Sequence, residues 1–419
     1  MTLALILAGL ALLIFLVANL RSGQQSIDHE IDHRYGIDDP AFARSMSVLL
    51  GPALTDGNRV TSLYNGDQIF PAMLEAIAGA RQTITLETYI YWSGSVGRAF
   101  GDALIERAHS GVKTHVILDW VGSGKMDQAI ISAMTAAGVQ VLKYHRPGWY
   151  TLGRLNNRTH RKLLVVDGRV GFTGGVGIAD NWLGHAEDPA HWRDSHFRLE
   201  GPAVAQMQAA FMEYWIEERA ELLHGEAYFP ALTAAGDQQA QVFKSATSEA
   251  SESVRLMYLL SIAAATRNIR LANAYFVPDR LSVQTLISAA RRGVEIEIIA
   301  PGRHTDTPLV RRASRGSWGP LLDAGIAIYE YQPTMYHVKV MVVDDAWTSV
   351  GSTNFDSRSF RLNDEANLNV LDRGFASVEI AAFERDKSAS RRITRAEWSR
   401  RPWRERVVEW LVGWFRVQL

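Results

Sequence analysis

The sequence predicts an α/β fold of two similar halves, each a mixed, largely parallel sheet flanked by helices. It further predicts an active site where the halves meet and a transmembrane helix at the N-terminus. Three observations support this: strands alternate with helices in each half, one short polar pattern occurs twice, and an uncharged apolar run opens the chain. Alternating strands and helices with short connections are typical of a sheet covered by helices.

The opening run, residues 2–20, contains no charged side chain and ends at Arg21. As a helix it is long enough to cross roughly 30 Å of hydrocarbon. A cleaved signal peptide is the alternative, but no basic segment precedes the run and its cleavage site is poor. We therefore predict an uncleaved anchor in residues 1–21 and a polar spacer in 22–57. Arg21 and Arg34 favour a cytoplasmic catalytic body.

The remaining elements occur in the same order in two stretches, 58–230 and 240–386, separated by a Thr/Ala/Gly/Gln/Ser-rich segment. Each stretch has a strand, a helix, a strand entered through Gly-Val, a helix ending in Ala-Gly, and another strand. The paired strands are 84–92 with 269–277, 111–118 with 293–299, and 137–142 with 324–329. Each half is therefore the size of an ordinary domain.

The repeated pattern lies in segments 155–182 and 332–359. His160 and Lys162 lead to Asp167 and a Gly pair, and His337 and Lys339 lead to Asp344 and Gly-Ser in the same spacing. The apolar, β-branched residues after each lysine predict a buried strand. Side chains two apart on a strand share a face, so each histidine projects with its lysine. The pattern predicts one site built from two halves, with chemistry suited to a phosphodiester.

The two aspartates of the pattern are included among the candidate catalytic residues, but they lie at turn positions. We expect Asp167 and Asp344 to fix the turn and the local backbone, with direct chemistry as the alternative. Glu87, Asp306 and Asp356 are weaker candidates, since each can equally be a cap, a turn residue or part of a structural ion pair.

Composition excludes several classes of function. The chain has no cysteine, which rules out disulfide scaffolds and thiol chemistry, and its net charge of −1 argues against a generic nucleic-acid binder. His29-Glu-Ile-Asp-His33 matches a zinc-protease pattern, but it lacks the supporting helix and further ligand, so we predict no metal. The segment 387–419 is a basic amphipathic tail, either an interfacial helix on an anionic membrane or a helix packed on the core.

The doubled His-x-Lys-x4-Asp pattern resembles the phospholipase D superfamily, and its surroundings are most similar to bacterial cardiolipin synthases. The segments that carry this resemblance are 157–162, 172–180, 192–194, 303–306 and 351–359. The resemblance implies a phosphohistidine mechanism without metal or cofactor, with His160 as nucleophile and His337 as acid. Lys162 and Lys339 would then neutralise the phosphate oxygens.

The resemblance also implies supporting residues. Asp194 and Glu365 would orient the histidines, and Ser352 and Asn354 would position the phosphate or a histidine. Gly175 and Gly177 stand where the first half would have the matching Ser and Asn, which predicts an asymmetric site.

The function implied is a phosphatidyltransferase of the bacterial inner membrane that makes cardiolipin from phosphatidylglycerol. A phospholipase D-type hydrolase acting on phospholipids is the alternative. A nuclease of the same superfamily is a third candidate, but a membrane anchor would be unusual for a nuclease, and we predict no nucleic-acid partner. A non-catalytic membrane protein conflicts with two intact motifs.

Overall fold

The computed structural model describes residues 9, 27–144, 157–245 and 252–413. Apart from one residue, the predicted anchor in 1–21 lies outside these ranges. Within them, no helix has the length and apolar character needed to cross a membrane.

The first half is preceded by one helix and ends in a long one. Its elements are α1 (Pro40–Leu50), β1 (Thr55–Tyr64), α2 (Asn65–Ala78), β2 (Thr83–Thr88), α3 (Ser95–His109), β3 (Lys113–Asp119), α4 (Gln128–Ala136), β4 (Gln140–Tyr144), β5 (Arg158–Thr159), β6 (Lys162–Val166), β7 (Val170–Gly174), a 3-10 turn (Asp180–Trp182), β8 (Ser195–Glu200) and α5 (Val204–Arg219).

The second half repeats this order and adds a C-terminal extension. Its elements are β9 (Gln238–Lys244), α6 (Ser253–Ala264), β10 (Asn268–Asn273), α7 (Arg280–Arg291), β11 (Glu295–Pro301), α8 (Pro308–Gly316), α9 (Trp318–Asp323), β12 (Ala327–Tyr331), β13 (Lys339–Val343), β14 (Trp347–Gly351), α10 (Ser357–Arg361), β15 (Asn363–Asp364), β16 (Ala366–Leu371), α11 (Arg373–Ser388), β17 (Ser390–Ile393), α12 (Arg395–Ser399) and α13 (Trp403–Gly413).

The two halves form one continuous mixed sheet. The first half has the order β1-β8-β7-β6-β2-β3-β4, the second has β9-β16-β14-β13-β10-β11-β12-β17, and β1 pairs with β9 at the seam. The predicted mixed α/β architecture is confirmed, but the expectation of a largely parallel sheet is wrong. Within this sheet, among the described strands, only β2-β3-β4 and β10-β11-β12 pair in parallel. The motif strands β6 and β13 instead pair antiparallel with β2 and β10 and begin hairpins.

The motif hairpins turn tightly because two aspartates adopt the left-handed conformation. Asp167 and Asp344 both have φ of 52°, a region that short polar side chains tolerate better than most. A tight turn returns the next strand antiparallel, whereas a parallel return needs a long crossover. The alternation of strands and helices in the sequence correctly predicted the parallel crossovers in each half. It did not predict the antiparallel hairpins that contain the motif strands.

The segment predicted as a spacer belongs partly to the core of the second half. Asp39 caps α1, and the helix buries Phe42, Met46 and Leu50. The Phe42 ring lies edge-to-face on Trp347 with ring centroids 5.0 Å apart. Burying an apolar side chain of this size contributes roughly 1.5–3 kcal/mol. Residues 22–57 are therefore not a spacer throughout, and α1 stabilises the second half.

The described part of the basic tail packs on the second half. Strand β17 extends the sheet beside β12, and α13 places Val412 in a small apolar cluster with Val310 of α8. Trp403, at the start of α13, is 69% exposed. Of the two expectations for the tail, this packing favours the docked helix, while residues 414–419 lie outside the described residues.

The zinc-protease pattern is not on a helix. Residues 29–33 form an extended segment, and the His33 ring contacts the Ala263 carbonyl oxygen through Nδ1 at 2.7 Å. This arrangement agrees with the expectation that the pattern is an isolated match.

Candidate active site

The backbone places each motif histidine against the opposite half. Strand β5 pairs with β15 so that the His160 amide donates to the Asp364 carbonyl at 2.8 Å. On the other side, the His337 amide donates to the Arg193 carbonyl at 2.8 Å. The residue after Asp364 is Glu365, and the residue after Arg193 is Asp194. Each histidine therefore lies beside an acid of the opposite half.

The resulting histidine–carboxylate pairs are crossed between the halves. Nδ1 of His160 lies 3.0 Å from both carboxylate oxygens of Glu365, and Nδ1 of His337 lies 2.7 Å from Oδ2 of Asp194. Both histidines line a single cavity of about 730 Å³. The structure thus brings the two predicted histidines and both predicted orienting acids into one site, and it takes each acid from the other half.

Burial sets the charge state of these pairs. Burial, assisted by Lys162, lowers the pKa of His160 to about 4 against the opposing effect of Glu365. Burial and then Lys339 also lower the pKa of His337. Although burial opposes it, the neighbouring histidine and lysine hold the pKa values of Asp194 and Glu365 below their usual range. A neutral imidazole that donates Nδ1–H to a carboxylate keeps its Nε2 lone pair for a substrate.

The two lysines lie where the sequence predicts them, beside their histidines. Nζ of Lys162 donates to the His160 carbonyl and Nζ of Lys339 donates to the His337 carbonyl, each at 2.7 Å. Nζ of Lys339 also lies 3.2 Å from Nε2 of His337. Burial lowers the pKa of Lys162 to about 7 and that of Lys339 to about 8, while both orienting acids oppose this effect. Bound phosphate would favour the protonated form of both lysines.

The orienting acids have different supports. Oγ of Ser352 donates to Glu365 at 2.6 Å, whereas Nε1 of Trp182 donates to Asp194 at 2.9 Å. A Cβ at Gly175, the counterpart of Ser352, would lie 2.2 Å from the Asp194 carboxylate. The predicted asymmetry is therefore present, but the first half has a replacement donor, Trp182, which the sequence analysis did not anticipate.

The two predicted phosphate-positioning residues lie in different places. Ser352 is hydrogen-bonded to Glu365 and does not line the cavity, so it fits the alternative of histidine positioning. Asn354 lines the cavity, and its Oδ1 has no hydrogen-bond partner among the described residues. Asn354 is therefore the one of the pair placed to contact a substrate.

The two motif aspartates lie at the other end of their strands and do not line the cavity. The Asp167 carboxylate accepts the amides of residues 81–83 at 2.7–2.9 Å. Asp344 accepts the amides of residues 266–268 at 2.7–3.1 Å. This placement does not support the predicted catalytic role of either aspartate. Each carboxylate instead ties the hairpin turn to the loop that enters the neighbouring strand.

The weaker acidic candidates divide in the same way. Glu87 is fully buried, accepts from the Thr159 hydroxyl and has its pKa raised by burial to about 7, but it does not line the cavity. Asp306 and Asp356 do line it. Asp356 also caps α10, accepting the Ser359 amide at 2.7 Å, and burial raises its pKa to about 7.

Aromatic and basic side chains that were not among the predicted site residues complete the cavity wall. They include Tyr89, Trp92, Lys125, Arg158 and Arg358. The Tyr89 ring lies edge-on to the His160 imidazole, with centroids 5.2 Å apart. Arg158 and Arg358 fall inside the segments that carry the family resemblance, which is the signal that could have identified them. The other three lie in loops after strands and carry no such signal.

Comparisons with known proteins identify the family of the chain. A family model described as "Cardiolipin synthase, PLD-like domain" matches residues 73–215 and 258–387. Cardiolipin synthase 1 of Bacillus cereus is 34% identical over 370 residues, covering 86% of this chain and 72% of that protein. Cardiolipin synthase A of Pseudomonas fluorescens is 34% identical over 358 residues, covering 85% and 74%.

A solved structure shares the fold. The phosphatidylserine synthase of Haemophilus influenzae matches with a TM-score of 0.68 at 12% identity, covering 90% of this chain and 100% of that one. The fold, the two motifs and the sequence similarity over most of the length lead to one conclusion. The chain is an enzyme of the phospholipase D superfamily and belongs to its cardiolipin synthase family.

Proposed function

We propose that the protein is a phosphatidyltransferase that makes cardiolipin from two molecules of phosphatidylglycerol. The observation that carries this proposal is the pair of crossed histidine–carboxylate contacts on one cavity. Two imidazoles facing the same phosphorus allow one to attack while the other handles the proton of the alcohol. The curated relatives named as cardiolipin synthases supply the substrate class.

In the first step, Nε2 of His160 attacks the phosphorus of phosphatidylglycerol. The phosphorus–oxygen bond to the headgroup glycerol breaks, and His337 supplies the proton that lets glycerol leave. For this step His337 is in its protonated form, which Asp194 and the bound anionic phosphodiester favour against burial and Lys339. The phosphatidyl group is then held on His160 as a phosphohistidine. The low pKa of His160 suits this role, because only a neutral imidazole is a nucleophile.

In the second step, the headgroup hydroxyl of another phosphatidylglycerol attacks the phosphohistidine. His337 takes the hydroxyl proton, the phosphorus–nitrogen bond breaks, and His160 is regenerated. Lys162 and Lys339 stabilise the negative charge on the non-bridging oxygens during both displacements. Asp194 and Glu365 orient the two imidazoles through Nδ1, so that Nε2 of His160 can attack and Nε2 of His337 can donate the headgroup proton and later accept one.

The location follows from the same proposal. A lipid substrate and the apolar run at residues 2–20 support attachment to the bacterial inner membrane, with the catalytic body on the cytoplasmic side. The hydrolase alternative uses the same first step, with water in place of the second lipid.

The test is to supply phosphatidylglycerol in mixed micelles and follow the products by mass spectrometry. The proposal predicts cardiolipin and free glycerol in equal amounts. Phosphatidic acid as the main product would establish the hydrolase instead. Cleavage of DNA with no lipid turnover would contradict both.

A further inference from the structure

We propose that the rim of the catalytic cavity is a bilayer-contacting surface, in which Trp120, Val121 and Leu309 insert among the acyl chains of an anionic phospholipid membrane. This inference rests on the proposed function, since it concerns how the same site meets its lipid substrate. We call these three side chains the apolar rim.

The apolar rim is exposed although it adjoins a cavity lined by buried catalytic groups. Val121 lines the cavity and is 42% exposed, and its neighbour Trp120 is 40% exposed. On the other half, Thr307 lines the cavity, and Leu309, two residues later, is 43% exposed. The two segments follow the equivalent strands β3 and β11, so each half has a large, exposed apolar side chain within two residues of one that lines the cavity.

The first rim segment is firmly held, so its exposure does not arise from a loose loop. The Asp119 carboxylate accepts the amides of Val121 and Gly122, each at 2.9 Å. Nε1 of Trp92 donates to the Gly122 carbonyl at 2.9 Å. A Cβ at Gly122 would lie 2.1 Å from the Tyr89 carbonyl oxygen. The backbone is therefore fixed, and the side chains of Trp120 and Val121 project from a rigid base.

The second rim segment is held by packing. Leu309 is in the first turn of α8, and the next residue, Val310, is buried against Val412 of α13. A rigid helix end that leaves one leucine outward while burying its neighbour is suited to shallow insertion.

Basic side chains next to the apolar rim match an anionic surface. Lys125, Arg158 and Arg358 line the same cavity, and Nζ of Lys125 lies 4.0 Å from the centre of the Trp92 ring. A lysine or arginine near an anionic bilayer is attracted to its surface charge. Apolar side chains flanked by cations form the combination that binds such an interface.

The substrate imposes the same geometry. Removing an acyl chain from the bilayer is unfavourable, and the cost grows with each CH₂ group exposed to water. A two-chain lipid therefore reacts with its tails still in the membrane, which requires the cavity opening to lie at the headgroup level. The apolar rim is the part of the opening that can reach below that level.

The absence of cysteine makes a direct test possible. Trp120→Cys and Leu309→Cys variants of the full chain are labelled with an environment-sensitive fluorophore and reconstituted into phosphatidylglycerol–phosphatidylcholine vesicles. Val378→Cys is the matched control, because Val378 on α11 is 48% exposed and does not line the cavity. We expect blue-shifted emission at positions 120 and 309 that brominated acyl chains quench, and neither effect at 378.

Two outcomes would overturn the proposal. Equal quenching at all three positions would mean that the apolar rim has no preference for lipid. A blue shift that brominated chains do not quench would mean that a second copy of the chain covers the rim.

Activity provides an independent readout. In the Trp120→Glu, Leu309→Glu double variant, the ratio of cardiolipin formation from vesicles to that from monomeric short-chain phosphatidylglycerol should fall about tenfold, because inserted charge opposes binding. Val378→Glu should leave the ratio unchanged. An unchanged ratio in the double variant contradicts the rim proposal, whereas no cardiolipin from the unmodified chain on either substrate contradicts the proposed function itself.

Discussion

The two halves hold their partner's histidine with carboxylates of different length and different support. In the second half, the longer Glu365 is fixed by the hydroxyl of Ser352 at 2.6 Å. In the first half, the shorter Asp194 lies so close to the backbone that Gly175 has no room for a side chain, and it is fixed by Trp182 at 2.9 Å. Both halves therefore share a carboxylate that accepts hydrogen bonds from further donors, while the residues that supply these donors differ.

The surroundings of the two histidines differ as well. The His337 ring packs against both Trp182 and Trp192, with ring centroids 5.4 and 5.5 Å away, whereas His160 faces Tyr89 at 5.2 Å. Nζ of Lys339 approaches the His337 ring closely. These differences can assign separate roles to groups that look equivalent in sequence.

Removing either histidine should have the largest effect. His160→Ala and His337→Ala should each lower cardiolipin formation by about 10⁴-fold or more, since each loses a nucleophile or a proton-transfer group. With a p-nitrophenyl phosphodiester, whose leaving group needs no acid, His337→Ala should still accumulate a labelled phosphoenzyme and His160→Ala should not. The measurement is the phosphorus label retained on each variant protein. The variants are first matched by thermal melting, so that equally folded proteins are compared. Label on the His160→Ala protein would reverse the two roles.

The lysines should determine the alkaline side of the pH profile. The pKa values of about 7 for Lys162 and about 8 for Lys339 mean that both lose their positive charge as pH rises through this range. If both charges are required, their loss should lower kcat/KM about tenfold per pH unit between the two values and about a hundredfold per unit above the higher one. This fall adds to one that begins at lower pH as His337 loses the proton it must donate, because burial and Lys339 lower its pKa. On the acidic side, it should fall when pH drops through about 4 and His160 becomes protonated.

A Lys162→Arg variant separates the two lysines. Arginine keeps its charge, so the alkaline limb should move from near 7 toward the value of Lys339, near 8, even if the maximal rate is lower. An alkaline limb that does not move would show that Lys162 does not control it.

The supports of the two acids should have smaller effects. Trp182→Phe and Ser352→Ala each remove one hydrogen bond to an orienting carboxylate, and the loss of such an outer contact typically costs about 10–100-fold in activity. Because Asp194 holds His337 and Glu365 holds His160, rapid-quench kinetics should show different steps slowed in the two variants. The same step slowed in both would mean that the crossed pairs do not act separately.

The motif aspartates should affect stability more than chemistry. Asp167→Asn and Asp344→Asn weaken charge-assisted hydrogen bonds to backbone amides and should each lower the free energy of unfolding by roughly 1.5–3 kcal/mol. The change is measured by denaturant titration, and kcat of the folded fraction should stay within about twofold of the parent value, since neither group reaches the cavity. A large loss of kcat at unchanged stability would restore these residues to the catalytic set.

The sequence predicted the catalytic centre better than the architecture around it. The spacing of His160 and Lys162 fixes their common face, and the second copy fixes the partner site, because both depend only on local strand geometry. The parallel fraction of the sheet was overestimated because strand direction depends on which strands become neighbours. The core role of α1 was missed because its apolar side chains pack on residues far away in the chain, such as Trp347 against Phe42.

The remaining site features depend on contacts that no local pattern encodes. Trp182 looks like a packing residue in the sequence, and only the fold reveals Asp194 beside its indole nitrogen. Each histidine pairs with an acid of the other half because its backbone amide donates a hydrogen bond to that half. His160 donates to Asp364 and His337 donates to Arg193. The basic composition of the tail likewise does not reveal that Val412 of α13 packs against Val310 of α8.

The exchange of carboxylates across the seam has a consequence for how such a chain can be divided or inherited. A polypeptide carrying one half alone would have a histidine and an acid that do not pair with each other, so it would need a second half, of either kind, to complete each pair. Selection therefore acts on the duplicated sequence as a single unit, and neither copy is free to lose its acid while the other keeps working.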